Sequence, residues 1–280
     1  MLLFAKRFVA GETKQEAIAR ASQLQKQGFR YTLDFLGEHI KSPVEAAAVA
    51  QEYESLLACL LERVMPLSVS VKLTHLGLDI DEQTTLANMR RLLSMTARHG
   101  GFVRVDMEGS IYTEATLRVF KALHREFAEH VGIVIQAYLH RSAADVDEMN
   151  ALGASVRLCK GAYKEPATLA IASRVDIDAN FDRLSNKLLE RGRHPAIATH
   201  DRARIASALE SAKRYGKKDS DFEFQMLLGV RGALSRELLA QGHRVRLYLP
   251  YGREWLGYFY RRVRERKENL LFAVRSVLGG

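Results

Sequence analysis

Cations and hydrogen-bond donors stand in or at the ends of short apolar runs in this chain. Lys72, Asp106 and Arg157 each lie in an otherwise apolar run. Burying such a charge is costly unless it is paired or meets a ligand. Further donors at the ends of other runs are Gln136, Lys160, Thr199 and His200. Each charge alone also fits a structural ion pair, but several at one place indicate a ligand site.

The residue types in this set narrow the chemistry. A metal-dependent hydrolase would need histidines and carboxylates that converge, and no HxH pair occurs. A Schiff-base enzyme stays open, because Lys72 or Lys160 in an apolar wall would have a lowered pKa. Lys160 beside Gly161 would also suit a phosphate, since glycine lets the backbone approach the anion.

Eight apolar runs alternate with stretches of helical periodicity, and these elements must position the polar residues. The runs are 31–36, 68–73, 102–106, 133–137, 155–158, 196–199, 222–227 and 245–249. Several lack alternation of apolar and polar residues, as expected of strands buried on both faces of a parallel sheet. The helical stretches are 44–63, 82–99, 113–130, 142–151, 174–192, 201–215, 231–241 and 253–265, with an extra one at 11–28. Thr13 and Glu16 predict a capping box for the extra helix, and Thr113 is the expected cap at 113–130.

Eight strands, each followed by a helix, predict an α/β fold, the (βα)8 TIM-type barrel with an extra N-terminal helix. The doubly wound open sheet is the alternative. It usually brings a glycine-rich phosphate turn, and neither GxGxxG nor GxxxxGK[ST] occurs. In a barrel the C-terminal ends of all strands meet at one face, so the polar residues should converge there. We expect a single domain over 1–280.

The composition agrees with one domain that has a large core. The chain has 280 residues, of which 47% are hydrophobic, and a formal net charge of +9. Its basic residues are scattered except at 253–267, and no nucleic-acid-binding motif occurs, so we expect no nucleic-acid partner. Cys59 and Cys159 do not have the spacing of zinc ligands, and we predict no metal site.

Seven segments together resemble the proline dehydrogenase family. They are RFVAGE at 7–12, VIQAY at 134–138, VRLCKGAY at 156–163, ATH at 198–200, FEFQML at 222–227, RLYLPYG at 246–252 and YFYRR at 258–262. The similarity covers nearly the whole chain and is closest to the shorter, monofunctional bacterial members. The double arginine at 261–262, together with the KGAY segment, is its most specific part. Members usually carry helical sequence ahead of the part matched here.

This resemblance implies a fold and an activity. Family members are flavin-binding (βα)8 barrels that oxidise L-proline to Δ1-pyrroline-5-carboxylate, the first step of proline degradation to glutamate. Hydride passes to noncovalently bound FAD, and the electrons pass on to a quinone. We therefore expect L-proline as substrate, FAD as cofactor and a quinone as electron acceptor. We also expect a cytoplasmic protein with peripheral contact to the inner face of the cell membrane.

The resemblance assigns substrate contacts by position. They are Lys72, Tyr248, Tyr258, Arg261, Arg262 and Glu265. The two arginines would bind the proline carboxylate, and Lys72 would contact it as well and pair with Glu265. The two tyrosines would shape the pocket around the pyrrolidine ring.

The resemblance also assigns catalytic and cofactor contacts. Asp106 would line the substrate site, and Arg157 would lie near the flavin N5; these two are the expected catalytic residues. Gln136 would lie near the pyrimidine edge of the ring. The expected cofactor contacts are Met107, Gln136, Arg157, Lys160, Gly161, Ala162, Thr199 and His200.

Two other classes of function stay as alternatives. A Schiff-base aldolase would use Lys72 or Lys160 and would bind no flavin. A non-enzymatic basic module would bind nucleic acid with an affinity that falls as salt rises. A visible flavin spectrum would exclude both.

Overall fold

The structure is a computed structural model that describes residues 7–256. Eight parallel strands form a closed barrel in the order β1 to β8, and β8 pairs with β1. The strands are β1 Arg30–Phe35, β2 Ser68–Val71, β3 Phe102–Val105, β4 Val131–Gln136, β5 Ser155–Cys159, β6 Ala196–Ala198, β7 Glu223–Leu227 and β8 Val245–Tyr251. The predicted barrel is confirmed, and each predicted strand overlaps an observed one.

Helices surround the barrel. They are α1 Lys14–Lys26, α2 Pro43–Glu62, α3 Glu82–Arg98, α4 Thr113–Phe127, α5 Ser142–Ala151, α6 Arg174–Arg191, α7 Arg202–Arg214 and α8 Gly232–Ala240. The predicted helix at 253–265 extends beyond the described residues. Within residues 7–256, no helix combines the length and apolar composition that crossing a bilayer requires.

The strands supply much of the core, and their apolar residues, such as Val69 and Val71 of β2, are fully buried. β4 lacks alternation and is buried along its whole length, as expected of a strand covered on both faces. β2 alternates serine and valine and is nevertheless buried throughout. Fully buried helix residues, such as Leu56 and Leu57 of α2 and Phe120 of α4, belong to the same core. The helices thereby hold the strand ends in a fixed arrangement.

Helix α1 precedes the barrel and begins at the predicted capping box. The Thr13 hydroxyl accepts a hydrogen bond from the Glu16 backbone N–H, and the Glu16 carboxylate accepts one from the Thr13 backbone N–H. The predicted cap at Thr113 is wrong. A 3-10 turn that ends at Tyr112 leads directly into α4, so Thr113 has helical dihedral angles and its buried hydroxyl has no partner among the described residues.

Candidate active site

Three predicted site residues meet in a cluster toward the C-terminal end of the barrel. Asp106 follows β3, Arg157 lies in β5 and Tyr248 lies in β8. The Asp106 carboxylate accepts a hydrogen bond from Arg157 Nη1 at 2.7 Å and one from the Tyr248 hydroxyl at 2.7 Å. The Arg157 guanidinium lies over the Tyr248 ring, 5.4 Å from its centroid. The expected convergence is therefore present for these three side chains.

Arg157 is held from several directions. Its Nε donates to Gln225 Oε1 of β7 at 2.5 Å, and its Nη2 donates to Ser70 Oγ of β2 at 3.0 Å. Ser70 Oγ in turn lies 3.1 Å from Thr32 Oγ1 of β1. With Asp106 on Nη1, every nitrogen of the guanidinium has a partner, so the charge cannot rotate without breaking hydrogen bonds.

Lys72 follows β2 and pairs with a carboxylate that sequence reasoning missed. Its Nζ lies 3.3 Å from Asp34 Oδ2, and Asp34 in β1 is fully buried. The expected partner, Glu265, lies outside the described residues. Asp34 carries the same signal as the predicted residues, because it is a carboxylate inside the apolar run at 31–36.

Burial and charge set the protonation of this cluster. Burial would lower the pKa of Lys72, but the Asp34 and Asp106 carboxylates hold it above its usual value. Burial raises the pKa of Asp106, against the charges of Arg157 and Lys72. The prediction that the pKa of Lys72 is lowered is therefore wrong. A lysine held as an ammonium is a poor Schiff-base nucleophile, which disfavours Lys72 in that alternative.

A second carboxylate, which follows Asp106 in the sequence and for which no role was predicted, supports the segment after β2. Glu108 is buried and accepts hydrogen bonds from the Thr74 backbone N–H at 3.1 Å and the Thr74 hydroxyl at 2.5 Å. Burial raises the pKa of Glu108, and these hydrogen bonds oppose the increase. Glu108 thus ties the end of β3 to the 3-10 turn after Lys72.

Gln136 lies at the end of β4, at the position expected for a cofactor contact. Its Nε2 donates to the Met107 carbonyl at 3.2 Å. Its Oε1 is buried and has no hydrogen-bond partner among the described residues. A buried acceptor without a donor costs free energy, so this atom is suited to a donor from a ligand.

The end of β6 contributes Thr199 and His200, and both side chains are buried. His200 Nε2 accepts a hydrogen bond from the Leu227 backbone N–H at 2.9 Å. Thr199 Oγ1 accepts one from the Asp201 backbone N–H at 3.1 Å. These bonds fix both residues at the same end of the barrel as Gln136.

The segment after β5 holds Lys160, Gly161 and Ala162, which are half-buried. Lys160 Nζ forms salt bridges with Asp178 and, at 3.1 Å, with Asp201. Its charge is therefore already compensated, which the sequence did not predict. Gly161 has φ +112°, and a Cβ there would lie 2.1 Å from Tyr138 Cδ1, so only glycine fits.

Four of the expected substrate contacts fall on a part of the chain that the structure does not describe. Tyr258, Arg261, Arg262 and Glu265 lie outside the described residues. Their roles stay predictions.

Comparison with known proteins gives consistent matches along the chain. A family model described as proline dehydrogenase matches residues 17–275. The chain is 39% identical over 276 residues to proline dehydrogenase 1 of Bacillus subtilis, covering 99% of this chain and 91% of the relative. It is 40% identical over 280 residues to proline dehydrogenase of Deinococcus radiodurans. That match covers 99% of this chain and 90% of the relative.

Solved structures of larger proteins contain a similar barrel. Proline utilization A from Bdellovibrio bacteriovorus, inactivated by N-propargylglycine, matches 95% of this chain with a TM-score of 0.88 and 27% identity. Proline utilization A from Bradyrhizobium japonicum, a point mutant, matches 92% with a TM-score of 0.77 and 25% identity. This chain spans 33% and 30% of those two chains.

Proposed function

Since the chain belongs to the proline dehydrogenase family, we propose that it oxidises L-proline to Δ1-pyrroline-5-carboxylate by hydride transfer to FAD. The observation that carries this proposal is the buried cluster of Lys72, Asp106, Arg157 and Tyr248. It combines a fixed ammonium, a fixed guanidinium and an aromatic wall near one end of the barrel. Such a set suits a small amino acid with a carboxylate and an apolar ring.

The described residues fit a flavin in two respects. The buried Gln136 Oε1 lacks a donor, and the flavin ring carries an N–H that could supply one. Gly161 has φ +112° and no side chain of its own to shield the backbone of this segment, while the Tyr138 ring packs on the side that a Cβ would take. FAD, when bound, supplies the hydride acceptor. The residues proposed to hold it are Met107, Gln136, Arg157, Lys160, Gly161, Ala162, Thr199 and His200.

Lys160 has a narrower role in this proposal than its charge alone implied. Its ammonium already faces Asp178 and Asp201, so it brings little net positive charge to the pyrophosphate. Backbone N–H groups beside Gly161 would then carry most of the phosphate binding.

The substrate proposal places cations around the proline carboxylate. Lys72, Arg261 and Arg262 would bind it, and Tyr248 and Tyr258 would form the walls around the ring, with Glu265 nearby. Positive charge near the substrate amine disfavours its ammonium form. C5 can release hydride only when the amine is neutral. The cations that bind the carboxylate therefore also favour the reactive protonation state of the substrate.

Asp106 and Arg157 would act at the reacting atoms. Asp106 holds Arg157 and Tyr248 through its two oxygens, which fixes the guanidinium against the pocket wall. The positive charge of Arg157 would stabilise the negative charge that develops on the acceptor during transfer. Because hydride moves directly, the reaction needs no protein nucleophile.

The electron acceptor and the location of the protein belong to the same proposal. A membrane quinone would reoxidise the enzyme, and the protein would be cytoplasmic with peripheral contact to the membrane. The net charge of +9 supports contact with an anionic leaflet. Flotation with anionic vesicles, before and after reduction by proline, tests the contact; no association in either state would refute it.

A product assay tests the proposed reaction. Purified protein supplied with FAD, L-proline and a dye acceptor should form a cyclic imine in equal amount to the dye reduced. Absence of both imine formation and dye reduction would contradict the proposal. A lysine adduct trapped by borohydride with a carbonyl compound such as pyruvate would instead support a Schiff-base enzyme.

A further inference from the structure

A cavity of about 350 Å³ opens at the N-terminal end of the barrel, away from the proposed proline site. Its lining comes from the first residues of the strands and from the segments that precede them. The arginines that line it are Arg30, Arg104, Arg157, Arg193, Arg244 and Arg246. In the part of the chain that the structure describes, the carboxylates of the lining are Glu129 and Glu223 only. The cavity wall is therefore strongly cationic.

The two carboxylates compensate part of this charge. Glu223 forms a bidentate pair with Arg246, at 2.6 and 3.0 Å, and lies 3.7 Å from Arg30. Glu129 pairs with Arg193. Glu129 therefore compensates the charge of Arg193, and Glu223 is shared between Arg246 and Arg30.

Two other arginines of the lining have only neutral partners in the described part of the chain. Arg104 donates to the Ser155 carbonyl at 2.6 Å, the Ser155 hydroxyl at 3.1 Å and the Ile133 carbonyl at 3.1 Å. Arg244 donates to the Ser220 carbonyl at 2.5 Å. Among residues 7–256, no carboxylate forms a salt bridge with either guanidinium.

Gly132 and Phe102 leave space for the buried Arg104 guanidinium. Arg104 is only 5% exposed, and its guanidinium lies 4.9 Å from the centre of the Phe102 ring. Its strand neighbour is Gly132, where a Cβ would lie 2.4 Å from Arg104 Nη1. Burial and the charge of Arg157 lower the pKa of Arg104 well below its usual value. The Glu223 charge opposes this decrease in part. A guanidinium stays protonated in proteins, so a further anion beside Arg104 would stabilise its charge.

We propose that this cavity binds a phosphate-class anion, with Arg104 at its base and Arg30 and Arg244 toward solvent. Guanidinium groups match phosphate oxygens in bidentate geometry, and a dianion would offset the two charges that lack carboxylates. The volume is at the lower end of ligand sites, enough for inorganic phosphate or a small phosphomonoester. The cavity opens at the other end of the barrel from the proposed proline site, and Arg157 is the residue that the two share.

Calorimetric titration of the FAD-loaded protein tests this site. Inorganic phosphate and glycerol 3-phosphate are titrated separately at constant ionic strength, and succinate serves as a dicarboxylate comparison. Binding of either phosphate compound with weaker binding of succinate supports the proposal. A preference for glycerol 3-phosphate identifies a phosphomonoester as the ligand, and equal affinity for succinate overturns the phosphate assignment.

Variants at the solvent side of the cavity locate the binding. Arg30→Gln and Arg244→Gln should each weaken phosphate affinity about ten- to hundredfold, as expected when one charge-assisted contact is lost. Arg20→Gln is the control, because Arg20 on α1 bonds only to Gln23 among residues 7–256 and is not in the cavity lining. At a phosphate concentration of about 100 times Kd, the wild-type unfolding equilibrium should shift about 100-fold toward the folded state. No binding at millimolar phosphate, or unchanged affinity in both cavity variants, would overturn the proposal.

Discussion

Lys72 meets two electrostatic demands at the mouth of the barrel. The fully buried Asp34 carboxylate needs a counter-ion, and the proposed proline carboxylate needs a cation. One ammonium can serve both, because it has three N–H donors. Its loss should therefore affect stability and substrate binding together, and a second substitution can separate the two effects.

Lys72→Met should destabilise the protein by about 3–5 kcal/mol, because it leaves the buried Asp34 charge unpaired. It should also raise KM for L-proline about ten- to hundredfold, since one charge-assisted contact is lost. The double variant Lys72→Met/Asp34→Asn should recover most of the stability but keep the high KM. Thermal unfolding and steady-state kinetics measure the two effects, and a double variant with the wild-type KM would show that Lys72 does not bind the substrate.

His75 makes stability depend on pH near neutrality. Its ring lies 5.3 Å from that of Phe35, and burial together with the Lys72 charge lowers its pKa to about 4. The unfolded chain takes up a proton at this residue near pH 6.5, whereas the folded protein does so only near pH 4. Stability therefore decreases as the pH falls from 6.5 to 4, and this residue alone should cost about 2 kcal/mol between pH 7 and pH 5.

His75→Asn should remove this part of the pH dependence, whatever it does to stability at neutral pH. The exposed His99→Asn variant is the matched control and should keep the wild-type dependence. Urea unfolding at both pH values measures the difference. If His75→Asn loses as much stability on acidification as the wild type, the buried imidazole is not the cause.

The segment after β5 has a backbone conformation that depends on glycine. Gly161 has φ +112°, and the Tyr138 ring occupies the space of a side chain. Gly153, ahead of the same strand, has φ +66°, but no atom lies within 4 Å of the point that a Cβ would occupy there. The two glycines share the backbone requirement and differ in packing, so they form a matched pair.

Gly161→Ala should weaken FAD affinity about tenfold or more, because the added methyl group must displace the Tyr138 ring or the backbone at the proposed cofactor site. Gly153→Ala should lose about 1–2 kcal/mol of stability from its backbone conformation and keep its FAD affinity. Fluorescence titration with FAD measures both variants. Equal FAD affinity in the two would contradict a cofactor contact at this segment.

Local sequence patterns predicted most elements because helices and buried strands have distinct periodicities. The errors have local causes. The predicted run 245–249 stops at Leu249, yet the strand continues through Pro250 to Tyr251, although proline lacks an N–H. The missing donor does not matter there, because Pro250 and Tyr251 use their carbonyls, which accept from Ala10 and Leu36.

Across the whole molecule, hydrogen bonds connect the two ends of the barrel through its interior. Arg157, bonded to Asp106, donates to Gln225, and Gln225 Nε2 donates to Glu223 Oε1 at 2.5 Å. Glu223 binds Arg246, which holds the pKa of Glu223 at about 2 against the effect of burial. The sequence showed these charges but not their partners, because contacts inside a closed barrel depend on how its strands are staggered. Asp106 and Arg157 were predicted as site residues, whereas no role was predicted for Gln225, Glu223 or Arg246, although all three lie in segments that match the family.

Anaerobic titration with L-proline tests the central claim, that proline bound beside the cluster at the C-terminal end of the barrel transfers hydride directly to FAD. The purified FAD-loaded protein should lose its visible flavin absorption as L-proline is added, and Lys72→Met/Asp34→Asn should need a much higher proline concentration. A flavin that stays oxidised at saturating proline, in a protein that is folded and loaded with FAD, would contradict the account.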